Sequence, residues 1–416
     1  MFILTAHLLV TLAKLARPGG LRVGAAESLA VKHQLLIMKR SRQRAPNLTS
    51  WDRLALGFCA LFVSRERSGY VSTDNMNNSS QVPTLTAIVP ARNAAATIAQ
   101  CLDALTAQAS EDTEVIVVDD CSTDNTYEIA ACYHVRLVRL SRHLGASAAR
   151  NRGAELARAP VLFFVDADVV LAEGALDRAR TAMLRRDVGA VIGSYDDDPE
   201  ATSTVSRFKN LAHHYFHQRS RGEATTFWGA CGLIRRDLLV ASGGFDEDRF
   251  SIEDVELGYR LVARGVRIAL DPELQVKHLK KWTLRSLIVT DVFYRAIPWT
   301  LLWLEGRALP NDLNFAADQR VAALVALAMV IATPVTIFRV GAWRFVAALV
   351  TVAFWINRDL FRLLFRRGGL WLALNGFLLQ QLYYLYSLFS LAAGIAIYFA
   401  RSFTRRVETA VKHVYK

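Results

Sequence analysis

Short, unbroken, apolar runs that each stop at an acidic or polar cluster constrain this chain more than any other feature. Val161-Leu162-Phe163-Phe164-Val165 stops at Asp166-Ala167-Asp168, and Glu114-Val115-Ile116-Val117-Val118 stops at Asp119-Asp120. An earlier run, Leu85-Thr86-Ala87-Ile88-Val89, stops at Pro90-Ala91-Arg92-Asn93. Runs without polar alternation suit strands buried on both faces, as in a parallel sheet. Strand, loop and helix alternate as far as residue 168, so the spacing predicts βαβ units. Ligands of such open sheets bind at the carboxyl ends of the strands. Three ligand-bearing strand ends at one edge are poorly explained as helix caps.

A further acidic pair, Glu253-Asp254, follows the turn Gly243-Gly244-Phe245-Asp246 and precedes a helical stretch. Carboxylates suit a hard divalent cation such as Mg²⁺ or Mn²⁺, and such a cation suits a diphosphate. Asp254 opens its helix, where the helix dipole is expected to keep it ionised. Taken alone, Asp-x-Asp reads equally well as a polar loop capping the next helix.

In their order, these motifs resemble the inverting glycosyltransferases of family 2. Gly145-Ala146-Ser147-Ala148-Ala149-Arg150-Asn151-Arg152-Gly153 and Ile252-Glu253-Asp254 complete the set, which covers residues 83–299. The resemblance implies an α/β, GT-A parallel-sheet domain over 83–281, the fold of nucleotide-diphospho-sugar transferases. Trp228-Gly229-Ala230-Cys231-Gly232, His278-Leu279-Lys280-Lys281-Trp282 and Arg295-Ala296-Ile297-Pro298-Trp299 are similar to membrane-attached bacterial members. By resemblance, Pro90, Asn93, Asp119, Asp120, Arg150 and Asp166 belong to the nucleotide site. Asp166 and Asp168 match the pair that holds Mg²⁺ or Mn²⁺ on the diphosphate of the donor, a nucleotide-diphospho-sugar. His278 matches a further metal or diphosphate contact, and a packed histidine serves equally well there. Asp254 matches the catalytic base, with Glu253 beside it. Trp228, Gly229, Arg295 and Trp299 fall on the acceptor side. Processive synthases of this family carry Gln-x-x-Arg-Trp where this chain has Arg295-Ala296-Ile297-Pro298-Trp299, which favours transfer of single sugars. A lipid-linked or glycan hydroxyl is the expected acceptor. A polyprenyl phosphate is the alternative, but an acceptor that is already ionised needs no base.

The chain is 52% hydrophobic with a mean hydropathy of +0.21, and its carboxyl-terminal third accounts for this. Residues 321–338 carry no charged side chain and residues 369–400 carry none either. A span needs about 20 apolar residues, so 321–338 and 380–399 are expected to cross a membrane, with 340–356 shorter. Residues 282–320, with Trp282, Trp299, Trp303 and Arg285, read as an interfacial amphipathic segment. The implied place is the inner (plasma) membrane of a bacterium, multi-pass, with membrane lipids around 321–400 and the catalytic domain in the cytoplasm. Arg358, Arg362, Arg366 and Arg367 obey the positive-inside rule there, whereas the basic tail over 401–416 would break it after a third span.

Residues 1–68 hold 11 Lys+Arg against 3 Asp+Glu, most of the chain's net charge of +12. This basic helical leader weakly resembles the start of integrase or transposase reading frames, and a membrane-binding arm is the other reading. It lacks a helix-turn-helix, zinc or aromatic RNA-binding signature, so no nucleic-acid partner is expected. The polar stretch over 69–82 reads as a linker. Five cysteines without Cys-x-x-Cys spacing read as free thiols. His213, His214 and His217 read as a polar helix face near the acceptor.

Overall fold

The computed structural model describes residues 71–74 and 82–414, apart from Arg221, Phe250, residues 307–315 and Val340. The chain divides into two units, Met1–Arg67 and Ser68–Lys416. The leader expected over 1–68 lies outside the described residues. Within the expected linker, Val71–Asp74 form strand β1, which pairs antiparallel with Arg136–Arg139 (β4).

The early βαβ units follow the pattern of apolar runs. Leu85–Ala91 (β2) leads through helix α1 (Ile98–Gln108) to Thr113–Asp119 (β3), and α2 (Thr126–Ala130) leads to β4. Helix α3 (Ala146–Leu156) then returns the chain to Val161–Val165 (β5). Leu85, Ala87 and Val89 face one core and Ile88 the other, so the strand is covered on both sides. The order after β1 is β4-β3-β2-β5, all parallel.

Beyond residue 168, where the βαβ reading stops, the sheet becomes mixed. Val169–Leu171 (β6), helix α4 (Ala175–Met183) and Ala190–Tyr195 (β7) lead to the long α5 (Thr204–Gln218) and the short β8 (Glu223–Ala224). Cys231–Arg235 (β9) then re-enters the middle of the sheet, antiparallel to both β5 and β7. Cys231 pairs with Val165, so the amino end of β9 lies beside the carboxyl end of β5. One returning strand thereby brings the Trp228-Gly229-Ala230 loop to the edge that carries Asp166. Helices α6 (Arg236–Ala241) and α7 (Glu253–Ala263) precede Ile268–His278 (β10), whose last residue pairs with Val169 of β6.

From Leu284 onward the described chain is helical. Leu284–Val289 (α8), a π-helical turn over Thr290–Ala296 and Ile297–Leu304 (α9) run on from one another. Ala317–Ala332 (α10), Val335–Phe338 (α11), Ala342–Ile356 (α12) and Arg358–Val414 (α13) follow. Three stretches, Leu284–Leu304, Ala317–Phe338 and Arg358–Ser402, are long and apolar enough to cross a membrane. The first lies in the segment read as interfacial. At 15 residues, α12 would reach only about 22 Å at 1.5 Å per residue, short of the bilayer core. Helix α13 breaks at Gly368 and Gly369, where Gly369 has φ +69°, a conformation that a side chain resists. The piece before the break packs Leu360, Phe361 and Leu364 against Phe208, Leu211 and Phe216 of α5.

Candidate active site

Among the described residues, three other than glycine have left-handed backbone: Asn93, Cys121 and Ile252, at φ 48°, 56° and 55°. Each stands in a loop that carries one of the sequence motifs. Such strain concentrates where a loop must present a group in one orientation, and for a β-branched isoleucine it is uncommon.

A cleft of about 710 Å³ opens at the carboxyl edge of β2, β3 and β5, lined by Pro90, Asn93, Asp120, Arg150, Asp166 and Asp168 among others. Asn93 ties two of its loops together, its Oδ1 accepting from Thr123 N–H at 2.8 Å while its own N–H donates to Ser122 Oγ. Asp120 is fully engaged by the next loop. Its Oδ1 accepts from Leu144 N–H at 2.7 Å and its Oδ2 from Gly145 N–H at 2.9 Å, with His143 Nδ1 at 2.6 Å. Asp119 is buried behind it, 3.2 Å from Arg139 Nε, and does not line the cleft.

Arg150, on α3, joins the two acidic clusters. One guanidinium nitrogen meets Asp166 Oδ1 at 2.8 Å, and the other meets Glu253 Oε1 at 2.5 Å. Burial opposes its charge, but Asp166, Glu253 and Asp254 outweigh that and push its pKa up. Beyond it, Asp254 Oδ2 accepts from Gly229 N–H at 3.1 Å and Oδ1 from Val255 N–H at 2.8 Å. Burial, then the Glu253 carboxylate, push Asp254 up to about 6 against the pull of Arg150. The expected effect of the helix dipole is therefore outweighed by desolvation.

His278 Nε2 stands 3.5 Å from Asp168 Oδ2. Its Nδ1 lies 3.1 Å from Asn210 Oδ1, which leaves Nε2 as the nitrogen facing the carboxylate. Burial works against the charge on Asp168, but His278 and then Lys280 win and hold its carboxyl below the usual range. Among the described residues no group of three or more His, Cys, Asp or Glu side chains converges as a metal cage. A pair of ligands open to the cleft suits a hard cation that also takes diphosphate oxygens and water.

Among the residues expected to meet an acceptor, Trp228 is met edge-on by the Tyr195 ring at 4.9 Å, and Tyr195 stacks on the His278 ring at 4.7 Å. Trp299 donates its Nε1–H to Tyr259 Oη at 2.7 Å and packs on Ile252 and Val255, fixing it to the helix that carries Asp254. Arg295 meets His213 Nε2 at 3.2 Å. The His213 and His217 rings surround Tyr195 and Trp228, and His214 Nδ1 lies 2.8 Å from Tyr195 O. Cys101, Cys121, Cys132 and Cys231 are free thiols, and Cys59 lies outside the described residues. The motifs gave no sign of Tyr195 or Asn210. Asp291 was readable as the one acidic residue within an apolar helix.

The sheet thus gathers a cleft, paired carboxylates and a clamped aspartate at one edge. Residues 86–241 match the profile described as glycosyl transferase family 2. Among known proteins the chain is similar to validoxylamine A glucosyltransferase of Streptomyces hygroscopicus subsp. jinggangensis, 32% identical over 232 residues, 47% of this chain and 55% of that one. It is also similar to the O-antigen chain rhamnosyltransferase WbaN of Salmonella anatum, 27% identical over 240 residues, 52% of this chain and 74% of that one. The chain spans about half the length of the first of these relatives. A solved structure, the mannosyltransferase PcManGT of Pyrobaculum calidifontis, aligns over 82% of this chain and 94% of its own with a TM-score of 0.41 and 18% identity.

Proposed function

We propose that the protein moves one sugar from a nucleoside-diphosphate sugar to a hydroxyl acceptor at a bacterial inner membrane, with inversion at the anomeric carbon. The observation that carries this reading is the Arg150 bridge, which sets Asp166 and the Glu253-Asp254 pair on either side of one guanidinium. The diphosphate belongs in the cleft between Asn93 and Asp168, where Lys280 and Lys281 add positive charge to the wall. Asp168, with Asp166 beside it and His278 bracing it, would hold a Mg²⁺ or Mn²⁺ ion in part, leaving places for diphosphate oxygens and water, and such an ion would supply charge to the departing diphosphate as a Lewis acid. Asp254 accepts the proton of the incoming hydroxyl, and a carboxylate raised to about 6 is well matched to that task near neutral pH. Glu253 is held by Arg150 and positions its neighbour. Arg150 stands between Asp166 and Glu253, the neighbour of the base, an order that favours attack from the side away from the diphosphate.

The three apolar stretches support a membrane-bound enzyme with several spans, its catalytic domain on the cytoplasmic side where nucleotide sugars are made. The test is transfer by the full chain in its membranes from a panel of nucleotide sugars, with the anomeric configuration of the product read by NMR. Retained configuration, or turnover unaffected by a chelator, would count against the mechanism.

A further inference from the structure

One positive charge close to the site is not used by the transfer chemistry. Asp291, in the apolar stretch Leu284–Leu304, is buried and already engaged. It accepts from Lys209 Nζ at 2.8 Å on both oxygens and from Tyr386 Oη at 2.7 Å. Wherever the proton sits, Lys209 and Asp291 form a neutral pair.

Arg295 is the cation that remains. It stands 3.7 Å from Asp291, and its side chain is 40% exposed. Its guanidinium nitrogen meets His213, which burial, Lys209 and Arg295 itself keep neutral by pulling its pKa well down. Arginine does not lose its proton, so the positive charge stays. It emerges beside Phe293 and Tyr294, themselves 60% and 41% exposed. An ionisable residue in a stretch apolar enough to cross a membrane marks a functional site. The π-helical turn Thr290–Ala296, which sets Arg295 in place, is a rare form that recurs at such sites. His213, which Arg295 meets, lies with its ring 5.4 Å from that of Tyr195, and Tyr195 in turn stacks on His278 beside Asp168, so Arg295 stands two side chains from the cleft.

We propose that Arg295 binds the phosphate of the acceptor, a phosphate ester carried on an apolar chain. The phosphate serves as a handle, and a hydroxyl of the same molecule is glycosylated. This rests on the transfer reading above and adds to it the class of acceptor.

The test uses the full chain in a neutral maltoside detergent, titrated calorimetrically with dodecyl phosphate, dodecyl glucoside and inorganic phosphate. Dodecyl phosphate should bind saturably and the other two should not. Arg295→Gln should weaken that binding about ten- to a hundredfold, as expected for a lost charge-assisted bond. Arg295→Lys should fall between, and Arg295→Met, which keeps the apolar stem, serves if the Gln variant fails to fold. Binding of a nucleoside diphosphate with Mn²⁺ should be the same in every variant. In membranes, dodecyl phosphate should also slow transfer from labelled nucleotide sugar into the lipid fraction.

Equal binding by wild type and Arg295→Met would overturn the proposal, as would displacement of dodecyl phosphate by the nucleoside diphosphate. Stabilisation without slowed transfer would assign the site to a bilayer lipid and overturn its acceptor role. Failure of all proteins to bind the nucleoside diphosphate would instead sink the parent reading.

Discussion

At the scale of single residues, the chemistry depends on what Arg150 holds apart. Asp254→Asn should keep nucleotide-sugar binding and lose transfer by roughly two to four orders of magnitude, whereas Asp168→Ala should weaken metal-dependent nucleotide binding. Near-normal turnover in Asp254→Asn would remove the base. The pH profile follows from the raised carboxyl at about 6. The base acts only when deprotonated, so kcat/KM should climb through that value as pH rises and then level off. Glu253→Gln removes the neighbouring carboxylate that helps raise Asp254, and the inflection should move to lower pH. A profile that ignores Glu253→Gln would detach Asp254 from the observed step. The acidic motifs were legible in the sequence because carboxylates must stand at strand ends to meet a charged ligand. Their mutual arrangement was not, since Arg150 reaches Glu253 across 103 positions and no local pattern records such a contact. Burial likewise decides the ionisation of Asp254, and burial cannot be read from the helix position that suggested a dipole effect.

At the scale of elements, the βαβ run was legible because unbroken apolar strands advertise a two-sided sheet. The reversal at β9 was not. Cys231-Gly232-Leu233-Ile234 reads as a buried strand in either direction, and direction depends on the path through α5. The close fit of α7 gives an element-scale expectation. A Cβ at Gly258 would lie 2.2 Å from Phe227 N, backbone that cannot step aside. Gly258→Ala should therefore cost about 1–3 kcal/mol, the range for overpacking, and lower the thermal midpoint. An unchanged midpoint would mean that α7 can slide. Strand β1 moves the tolerated start of the domain. A chain begun at Met76 deletes β1 and leaves β4 an open edge, while one begun at Ser68 keeps the pair. The Ser68 start should match the full chain in membrane yield and transfer, and the Met76 start should fall below both. Equal behaviour of the two truncations would make β1 dispensable.

At the scale of the whole molecule, the apolar helices are tied to one another by polar contacts as well as by packing. Tyr384 Oη lies 2.7 Å from Gln319 Oε1 and 3.0 Å from Asn357 Oδ1, all three buried. Tyr384→Phe should loosen this knot by about 0.6–2 kcal/mol, read as a lower midpoint in detergent. The hydrophobic runs made these helices visible in the sequence, but not their attachment. That falls to α5, which presents Phe208, Leu211 and Phe216 to the first part of α13 and Asn210 to His278. The same helix is thus both a footing for the apolar bundle and the brace of His278. If these helices span a bilayer, its thickness, which sets the tilt of apolar helices, is expected to act on turnover through α5. In nanodiscs of short- and long-chain lipids of one headgroup, turnover should differ. Replacing Asn210 by alanine should flatten that difference.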